Sequence, residues 1–245
     1  MMLPNSPYSF EICIETPDAL DACIGVADRI ELCSGLDVGG LTPSVGLMEQ
    51  AKASGVETHV LIRPRSGDFT MTSADLAAAV ADIGAARQLG LKGVVIGAER
   101  EGALDRSAIN EMVQASEGLD VTLHRVIDVL DDPVAVMEIA IEFGFVRILT
   151  SGSAPSAPEG ITGLARLLDA SAGRIEIMAG AGINSTNIAG IMDQTDIMSF
   201  HSSCSATRPL DSRYTAFGFG ETVRSFDLGE AKQIAAQLAQ ASTKR

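Results

Sequence analysis

Tryptophan is absent from this sequence of 245 residues, and aromatic residues make up only 4% of it. A core must therefore be built from small and branched aliphatic side chains, which the hydrophobic content of 46% supplies. No apolar run approaches the ~18 residues that a membrane-spanning helix needs. The N-terminal stretch has neither a basic segment nor an apolar one. We therefore predict that the chain has no signal peptide and no membrane partner.

Positive charge is also scarce. Lysine and arginine together number 18, against 32 aspartates and glutamates, so the formal net charge is −14. A field of that sign repels nucleic acids and anionic membrane surfaces. We predict that no nucleic acid is a partner, and that an anionic ligand must be held by a local cluster of positive side chains.

Cysteine occurs only four times, at Cys13, Cys23, Cys33 and Cys204. None of these forms a Cys-x-x-Cys pair, which excludes zinc ribbons and thioredoxin-type redox motifs. Four cysteines are too few for a disulfide-based scaffold of this length, so reduced thiols in a cytoplasmic protein are expected. Cys204 falls in a predicted loop and is expected to be the most exposed of the four.

Short apolar runs alternate with longer amphipathic runs along the whole chain, which gives eight strand–helix units. This alternation predicts an α/β protein with a parallel sheet, and eight units favour closure into a (β/α)8 TIM barrel over an open sheet. The composition does not change along the chain, so residues 1–245 are predicted to form a single domain. Its parts are a barrel core over 8–204, an irregular segment over 205–227 and a C-terminal helix over 228–245.

Ionisable side chains gather at the carboxyl ends of the predicted strands. The stretch His124–Asp128 shows this best, because an apolar strand leads directly into a histidine, an arginine and an aspartate. The opposite strand ends carry only ordinary solvent-facing charges. TIM barrels place their chemistry at the carboxyl ends of the strands. The asymmetry therefore predicts a functional site at that end of the barrel.

Two strand ends repeat one pattern, since Glu11-Ile12-Cys13 ends the first strand and Glu31-Leu32-Cys33 ends the second. Side chains two positions apart share one face of a strand. If that face lines the barrel, two carboxylates and two thiols are expected side by side on adjacent strands.

Acid–base chemistry is one function that these strand ends predict. Glu11 and Glu31 are candidates for a pair of carboxyl groups with separated pKa values. His124 and His201 are candidates for a general acid or base, and Asp128 is expected to orient a neighbouring arginine or histidine. In the alternative interpretation, the two glutamates are salt-bridge partners of arginines, and the histidines are structural.

Anion binding is a second predicted function. Arg63, Arg65 and Arg125 are suited to hold a carboxylate or phosphate, and the turn with Gly180 and Gly182 lies where barrels bind phosphate through backbone N–H groups. Alternatively, the arginines pair with strand-end carboxylates in a structural network. Four further residues are predicted to complete this anion site: Asp68, Thr150, Ser151 and Ser202.

Metal binding has two versions. Glutamates and histidines at the strand ends could hold a divalent cation, although the nearby arginines oppose it. A soft ion such as Cu(I) would instead use Cys13 and Cys33. The alternative for these two cysteines is that they are small core residues.

Seven motifs stand out along the chain: Ala27–Cys33, Gly39–Ser44, Ile62–Phe69, His124–Asp128, Ile148–Gly152, Met178–Gly182 and Phe200–Ser203. They resemble the CutC family, whose members are labelled copper homeostasis proteins. The resemblance covers about residues 8–204 in the same order, and it departs from the family's usual residues at Ser66 and at Val126-Ile127. It implies a cytosolic TIM barrel that handles copper and self-associates, as a dimer or tetramer. The barrel-mouth residues that it implies are Glu11, Glu31, Arg63, Arg65, Asp68, His124, Arg125, Asp128 and His201.

Two functions stay open at this point. The resemblance implies a copper-binding, copper homeostasis protein whose polar pocket is suited to a small anionic ligand. The residues alone also allow a TIM-barrel enzyme that performs acid–base chemistry, of isomerase, lyase or hydrolase type, on a small phosphorylated or carboxylated substrate. Copper is the only cofactor that either interpretation introduces.

Overall fold

Eight parallel strands close into a barrel in the computed structural model, which describes residues 6–242. Each strand pairs with its neighbours along the chain, and the last strand pairs with the first, where Glu11 lies opposite His201. Helices lie between successive strands, so the predicted (β/α)8 TIM barrel is confirmed. The barrel strands are β1 (Ser9–Ile14), β2 (Arg29–Leu32), β3 (Thr58–Leu61), β4 (Gly93–Ile96), β5 (Asp120–Leu123), β6 (Arg147–Thr150), β7 (Glu176–Ala179) and β8 (Ser199–Ser202).

Most helices begin at a side chain that accepts a hydrogen bond from the first turn, whereas those that follow Gly160 and Asn187 lack such a cap. The helices are α1 (Pro17–Cys23), α2 (Val45–Ser54), α3 (Ser73–Gln88), α4 (Arg106–Ala115), α5 (Pro133–Glu142), α6 (Ile161–Ser171), α7 (Ile188–Gln194), α8 (Ser212–Thr215) and α9 (Leu228–Ser242). Thr72 and Asp75 form the predicted capping box of α3. Asparagine is a favoured N-cap residue, so the sequence predicts that Asn184 caps the seventh helix, and this prediction is wrong. Its side chain instead accepts hydrogen bonds from Thr186, and α7 begins four residues after Asn184.

The register of the first two strands differs from the one that the repeated Glu-x-Cys pattern predicts. Cys13 lies opposite Glu31, and Glu11 lies opposite Arg29. The expected side-by-side pairing of like groups was therefore wrong. Barrel closure requires a stagger between strands, and a stagger of two residues replaces like neighbours with unlike ones.

The barrel interior is charged, whereas the outer face of the sheet is apolar. Phe10 and Ile12 pack with the helices in the main hydrophobic core. Between them, Glu11 points inward and accepts a hydrogen bond from Arg29 Nε at 2.5 Å. The same guanidinium reaches Met178 Sδ on β7, across the interior, at 3.5 Å. TIM-barrel interiors are usually filled by branched apolar side chains. In this barrel, the paired charges of Glu11 and Arg29 occupy part of that space instead.

Residues 205–227 were predicted to be irregular, and that prediction was wrong. Ser205–Pro209 and Thr222–Phe226 pair as an antiparallel ribbon, with α8 between them. Arg224 joins the ribbon to the barrel mouth by donating a hydrogen bond to Asp37 at 3.2 Å. Most side chains of the ribbon are exposed, so it lacks the apolar alternation by which a strand is recognised in a sequence.

Cys204 is buried, with 2% of its surface exposed, although the sequence predicts an exposed thiol. It lies where both ends of the ribbon meet, since the Asp227 N–H donates to the Cys204 carbonyl at 2.6 Å. Its side chain joins the main hydrophobic core.

None of the helices within residues 6–242 is long and apolar enough to cross a membrane. Residues 1–5, which belong to the stretch predicted to lack a signal peptide, lie outside the described residues. The same holds for residues 243–245 at the end of the predicted C-terminal helix.

Candidate functional site

A cavity of about 350 Å³ opens at the barrel mouth, where the sequence predicts the site. Half of the predicted site residues line this cavity, and the other half do not. Those that line the cavity are Cys13, Glu31, Arg63, His124, Arg125, Gly182, His201 and Ser202. Those that do not line it are Glu11, Cys33, Arg65, Asp68, Asp128, Thr150, Ser151 and Gly180.

Three buried side chains meet at one wall of the cavity. The Cys13 thiol, the Glu31 carboxylate and the His201 imidazole each place a potential ligand atom within 4.8 Å of the other two. They come from β1, from β2 and from β8, which are neighbours in the barrel. The register that separates the two thiols is therefore what places a thiol, a carboxylate and an imidazole together.

His201 is oriented from behind by a carboxylate. Its Nδ1 lies 2.7 Å from Glu11 Oε1, and its Nε2 lies 3.7 Å from Glu31 Oε2. Burial alone would lower the pKa of His201, but Cys13 and Glu11 raise it well above its usual value. Burial likewise would raise the pKa of Glu11, but the Arg29 charge and the bond to His201 hold it well below the usual range. Glu11 is thus a permanently charged support.

Glu31 behaves differently, although its carboxyl group is also buried. Burial raises its pKa to about 7; the nearby Glu11 charge also raises it, and the charge of His201 opposes this rise. Within the cluster, Glu31 is therefore a carboxyl group that can gain or lose a proton near neutral pH.

Cys33 lies beside the cluster rather than in it. Its Sγ donates to the Ile14 carbonyl at 3.2 Å, and it packs with Cys13, Leu61 and Val95. Burial and the neighbouring Cys13 raise the pKa of Cys33 well above its usual value. Of the two predicted copper ligands, Cys13 faces the cavity and Cys33 does not; a ligand role for Cys33 stays a prediction.

Arg63 and Phe69 also line the cavity. Arg63 donates hydrogen bonds to the carbonyls of Val38, Gly40 and Gly67 at 2.7–2.9 Å. Its guanidinium lies 5.3 Å from the centre of the Phe69 ring. The sequence reasoning did not assign a site role to Phe69, because a lone aromatic residue in a polar loop gives no sign of where it packs.

His124 contacts the same aromatic ring, with ring centres 4.7 Å apart. Its Nδ1 accepts a hydrogen bond from the Val126 N–H at 3.1 Å, so the ring proton of neutral His124 must lie on Nε2. Burial lowers the pKa of His124 to about 4, helped by the Arg63 charge and opposed by the backbone of His124 and Gly97. His124 is therefore a neutral donor at physiological pH.

The His124 tautomer can be observed directly, because the chain has three histidines. We expect nitrogen-15 NMR to show a neutral His124 with its proton on Nε2 as the pH falls, until protonation sets in near pH 4. An ordinary histidine would be largely charged well above that pH. The His124→Gln variant assigns the signal, and a His124 resonance that titrates near pH 6.5 would contradict this account.

Gly97 makes room for the His124 ring. A Cβ atom added there would lie under 3.0 Å from three atoms of the imidazole. We expect Gly97→Ala to lower the free energy of unfolding by about 1–3 kcal/mol, because the ring must move within a packed interior. The control is Gly84→Ala in α3, where no atom lies within 4 Å of an added Cβ. There, alanine should stabilise the helix by up to ~1 kcal/mol, and equal destabilisation by both changes would contradict the steric argument.

Asp128 stabilises the turn that follows β6. It accepts hydrogen bonds from Thr150 Oγ1 and from the Ser151 N–H and Oγ, and it pairs with Arg125 Nε at 2.8 Å. These contacts orient Arg125, which lines the cavity. A direct catalytic role for Asp128 stays a prediction.

Arg65 and Asp68 pair with each other outside the cavity, at 2.7 Å. Arg65 also binds Asp75 in the first turn of α3, at 3.3 Å. In the turn after β7, Gly180 packs against Leu149 and His201, whereas Gly182 reaches the cavity with φ of 73°. The structure therefore narrows the predicted arginine cluster to Arg63 and Arg125, and it adds Arg224 from the ribbon.

Comparison with known proteins agrees with the motifs. The model of the CutC family matches residues 8–206. A CutC family protein of Rhizobium meliloti (strain 1021) is 44% identical over 219 residues, which cover 88% of this chain and 89% of the relative. A CutC family protein of Caulobacter vibrioides (strain NA1000 / CB15N) is 46% identical over 195 residues, which cover 79% of this chain and 80% of that protein.

Solved structures give the same answer. One from Streptococcus agalactiae, provisionally named a copper homeostasis protein CutC, has a TM-score of 0.77 at 30% identity and covers 80% of this chain and 98% of that chain. A structure described as an aldolase has a TM-score of 0.60 at 13% identity, covering 83% of this chain and 92% of that chain, and shares the fold alone. The chain belongs to the CutC family.

Proposed function

We propose that this protein binds Cu(I) at its barrel mouth, with Cys13, Glu31 and His201 as ligands. The observation that carries the proposal is the closeness of three different donor atoms, within 4.8 Å of one another in a buried cluster at the cavity wall. Copper is suggested by the name of the Streptococcus agalactiae relative. The ion would be the cargo of a copper homeostasis protein.

The chemistry of the donors suits a soft or borderline ion. Thiolate sulfur favours Cu(I) and zinc over magnesium or calcium, and imidazole suits copper and zinc. Glu31 can release its proton near neutral pH and so become available as a third ligand. Two of the arginines predicted to oppose a cation make their hydrogen bonds elsewhere: Arg65 donates to Asp68, and Arg63 donates to backbone carbonyls.

Glu11 supports the proposed site without belonging to the ligand set. Its hydrogen bond to His201 Nδ1 leaves Nε2 on the side of Glu31 and Cys13. A carboxylate hydrogen-bonded to a ligating histidine fixes the orientation of the ring, and Cu(I) would have to displace the Nε2 proton that the raised pKa of His201 retains. Arg29 in turn holds Glu11 from the barrel interior, at 2.5 Å.

An anaerobic competition titration against a colorimetric Cu(I) chelator tests the proposal. We expect one Cu(I) ion per chain, and an X-ray absorption spectrum with one sulfur neighbour and nitrogen or oxygen neighbours. The matched titration with Zn(II) should show weaker retention in competition with Cu(I). Failure to withdraw copper from the chelator would contradict the proposal, and preferential retention of Zn(II) would assign the site to another ion.

Three further expectations stay predictions. The resemblance implies a cytosolic location and assembly into a dimer or tetramer. The enzymatic alternative, acid–base chemistry on a small anionic substrate, also stays a prediction, and the Cu(I) titration does not depend on it.

A further inference from the structure

Arg63 differs from the other arginines that are buried within residues 6–242. Three arginines have less than a tenth of their surface exposed, namely Arg29, Arg63 and Arg147. Arg29 pairs with Glu11, and Arg147 pairs with Glu176 at 2.8 Å. Arg63 donates only to backbone carbonyls. A buried guanidinium without a carboxylate is costly, so its positive charge is available to an anion.

One donor of Arg63 is also unused. Its Nε–H is buried and has no hydrogen-bond partner within the described part of the chain. A buried donor without a partner is energetically costly, and more so when it is charged. Because the guanidinium is fixed by three carbonyls, Nε cannot turn toward another acceptor without breaking those bonds.

His124 has a second unused donor at the same cavity. Its Nδ1 accepts from the Val126 backbone, so Nε2 carries the proton. That Nε2 is buried, and no acceptor bonds to it among residues 6–242. His124 and Arg63 both line the cavity, and both contact Phe69. Two unpartnered N–H donors on side chains that line one cavity are suited to bind oxygen acceptors.

We infer that Arg63 Nε and His124 Nε2 bind a small monocarboxylate in the cavity that Cys13, Glu31 and His201 also line. Two separate N–H donors match the two oxygens of one carboxylate. The site stands apart from the proposed copper ligands and requires no metal at them. It is therefore a second ligand site of the same cavity.

The charge at this wall limits the ligand to a monoanion. Arg63 supplies one uncompensated positive charge, whereas His124 is neutral. The other cavity-lining arginines already have carboxylate partners, since Arg125 pairs with Asp128 and Arg224 with Asp37. A phosphate dianion would bring an unbalanced negative charge into a cavity that also contains Glu31. Acetate is the simplest probe of the favoured class.

The test is a titration of metal-free protein with acetate, followed by the nitrogen-15 and proton shifts of His124 Nε2–H. We expect saturable shifts at that group, with inorganic phosphate and chloride at matched ionic strength binding more weakly. His124→Phe keeps the ring contact with Phe69 but removes the donor, and should weaken acetate binding, measured by calorimetry, about tenfold or more. Arg106→Gln, which changes an exposed arginine on α4, should leave acetate binding unchanged.

Two results would overturn the inference. One is an Nε2–H resonance that acetate moves no more than chloride does, which needs no variant and so does not depend on the folding of His124→Phe. The other is tighter binding of phosphate than of acetate. Neither outcome affects the Cu(I) titration, so the two proposals fail separately.

Discussion

Cys13→Ser is expected to weaken Cu(I) binding by more than about 100-fold, because loss of residues that merely support metal ligands already costs about 10–100-fold. Serine keeps the size of the side chain and replaces the soft sulfur with a hard oxygen, which Cu(I) disfavours. Cys13 is the cysteine that places sulfur at the cavity wall together with Glu31 and His201. The measurement is the anaerobic chelator competition, with each protein reduced and stripped of metal beforehand.

Two matched variants serve as controls for the Cu(I) affinity of Cys13→Ser. Cys23→Ser changes a cysteine of α1 that is buried in the main core, and it should leave copper affinity unchanged. Cys33→Ser tests the thiol beside the cluster, and we expect an effect below tenfold, because its Sγ is bonded to a backbone carbonyl. Equal losses from Cys13→Ser and Cys33→Ser would replace the proposed ligands with the two-thiol set, and an unchanged Cys13→Ser would refute sulfur ligation at this wall.

Arg29→Met is expected to lower the free energy of unfolding by about 3–5 kcal/mol, the usual cost of removing one partner of a buried ion pair. The Glu11 carboxylate would remain in the barrel interior with 1% of its surface exposed. Its remaining charged neighbour would be His201, at 2.7 Å. Denaturant unfolding followed by circular dichroism and by tyrosine fluorescence measures the loss.

Arg106→Met is the matched control. Arg106 and Glu142 lie at the same 2.5 Å separation as Arg29 and Glu11, but their side chains are 49% and 60% exposed. Exposed ion pairs contribute about 0–1 kcal/mol, so this variant should remain within that range. Similar losses from the two arginine variants would show that burial does not determine the value of these pairs.

The sequence predicts the barrel and the end at which the site lies, because both depend on local periodicity. Strand residues alternate between two faces, and that rule puts Glu11 with Cys13, and Glu31 with Cys33, on the face expected to line the barrel. Periodicity does not state how far one strand slides past the next. The observed register places Cys13 beside Glu31 rather than beside Cys33. Which residues form the cluster with His201 therefore depends on the strand register, which the three-dimensional structure provides and the sequence pattern does not.

The arginines show a second limit of the sequence. Arg63 and Arg65 share one polar loop in the sequence, and both were predicted to hold an anion. Arg63 turns inward to backbone carbonyls, whereas Arg65 meets Asp68 and Asp75 in the loop and in the first turn of α3. The partner of a long side chain depends on which groups the tertiary structure brings within its reach, and this cannot be read from its position in the sequence.

Two glycines, Gly93 at the start of β4 and Gly97 one residue after its end, leave space that histidine rings occupy. An added Cβ at Gly93 would meet His59 at 2.7 Å, as one at Gly97 would meet His124. Mutational scans that truncate side chains to alanine assume that a residue acts through atoms that can be removed. At these two positions alanine is the larger residue, so only a scan that adds atoms can reveal how much the site depends on these two glycines.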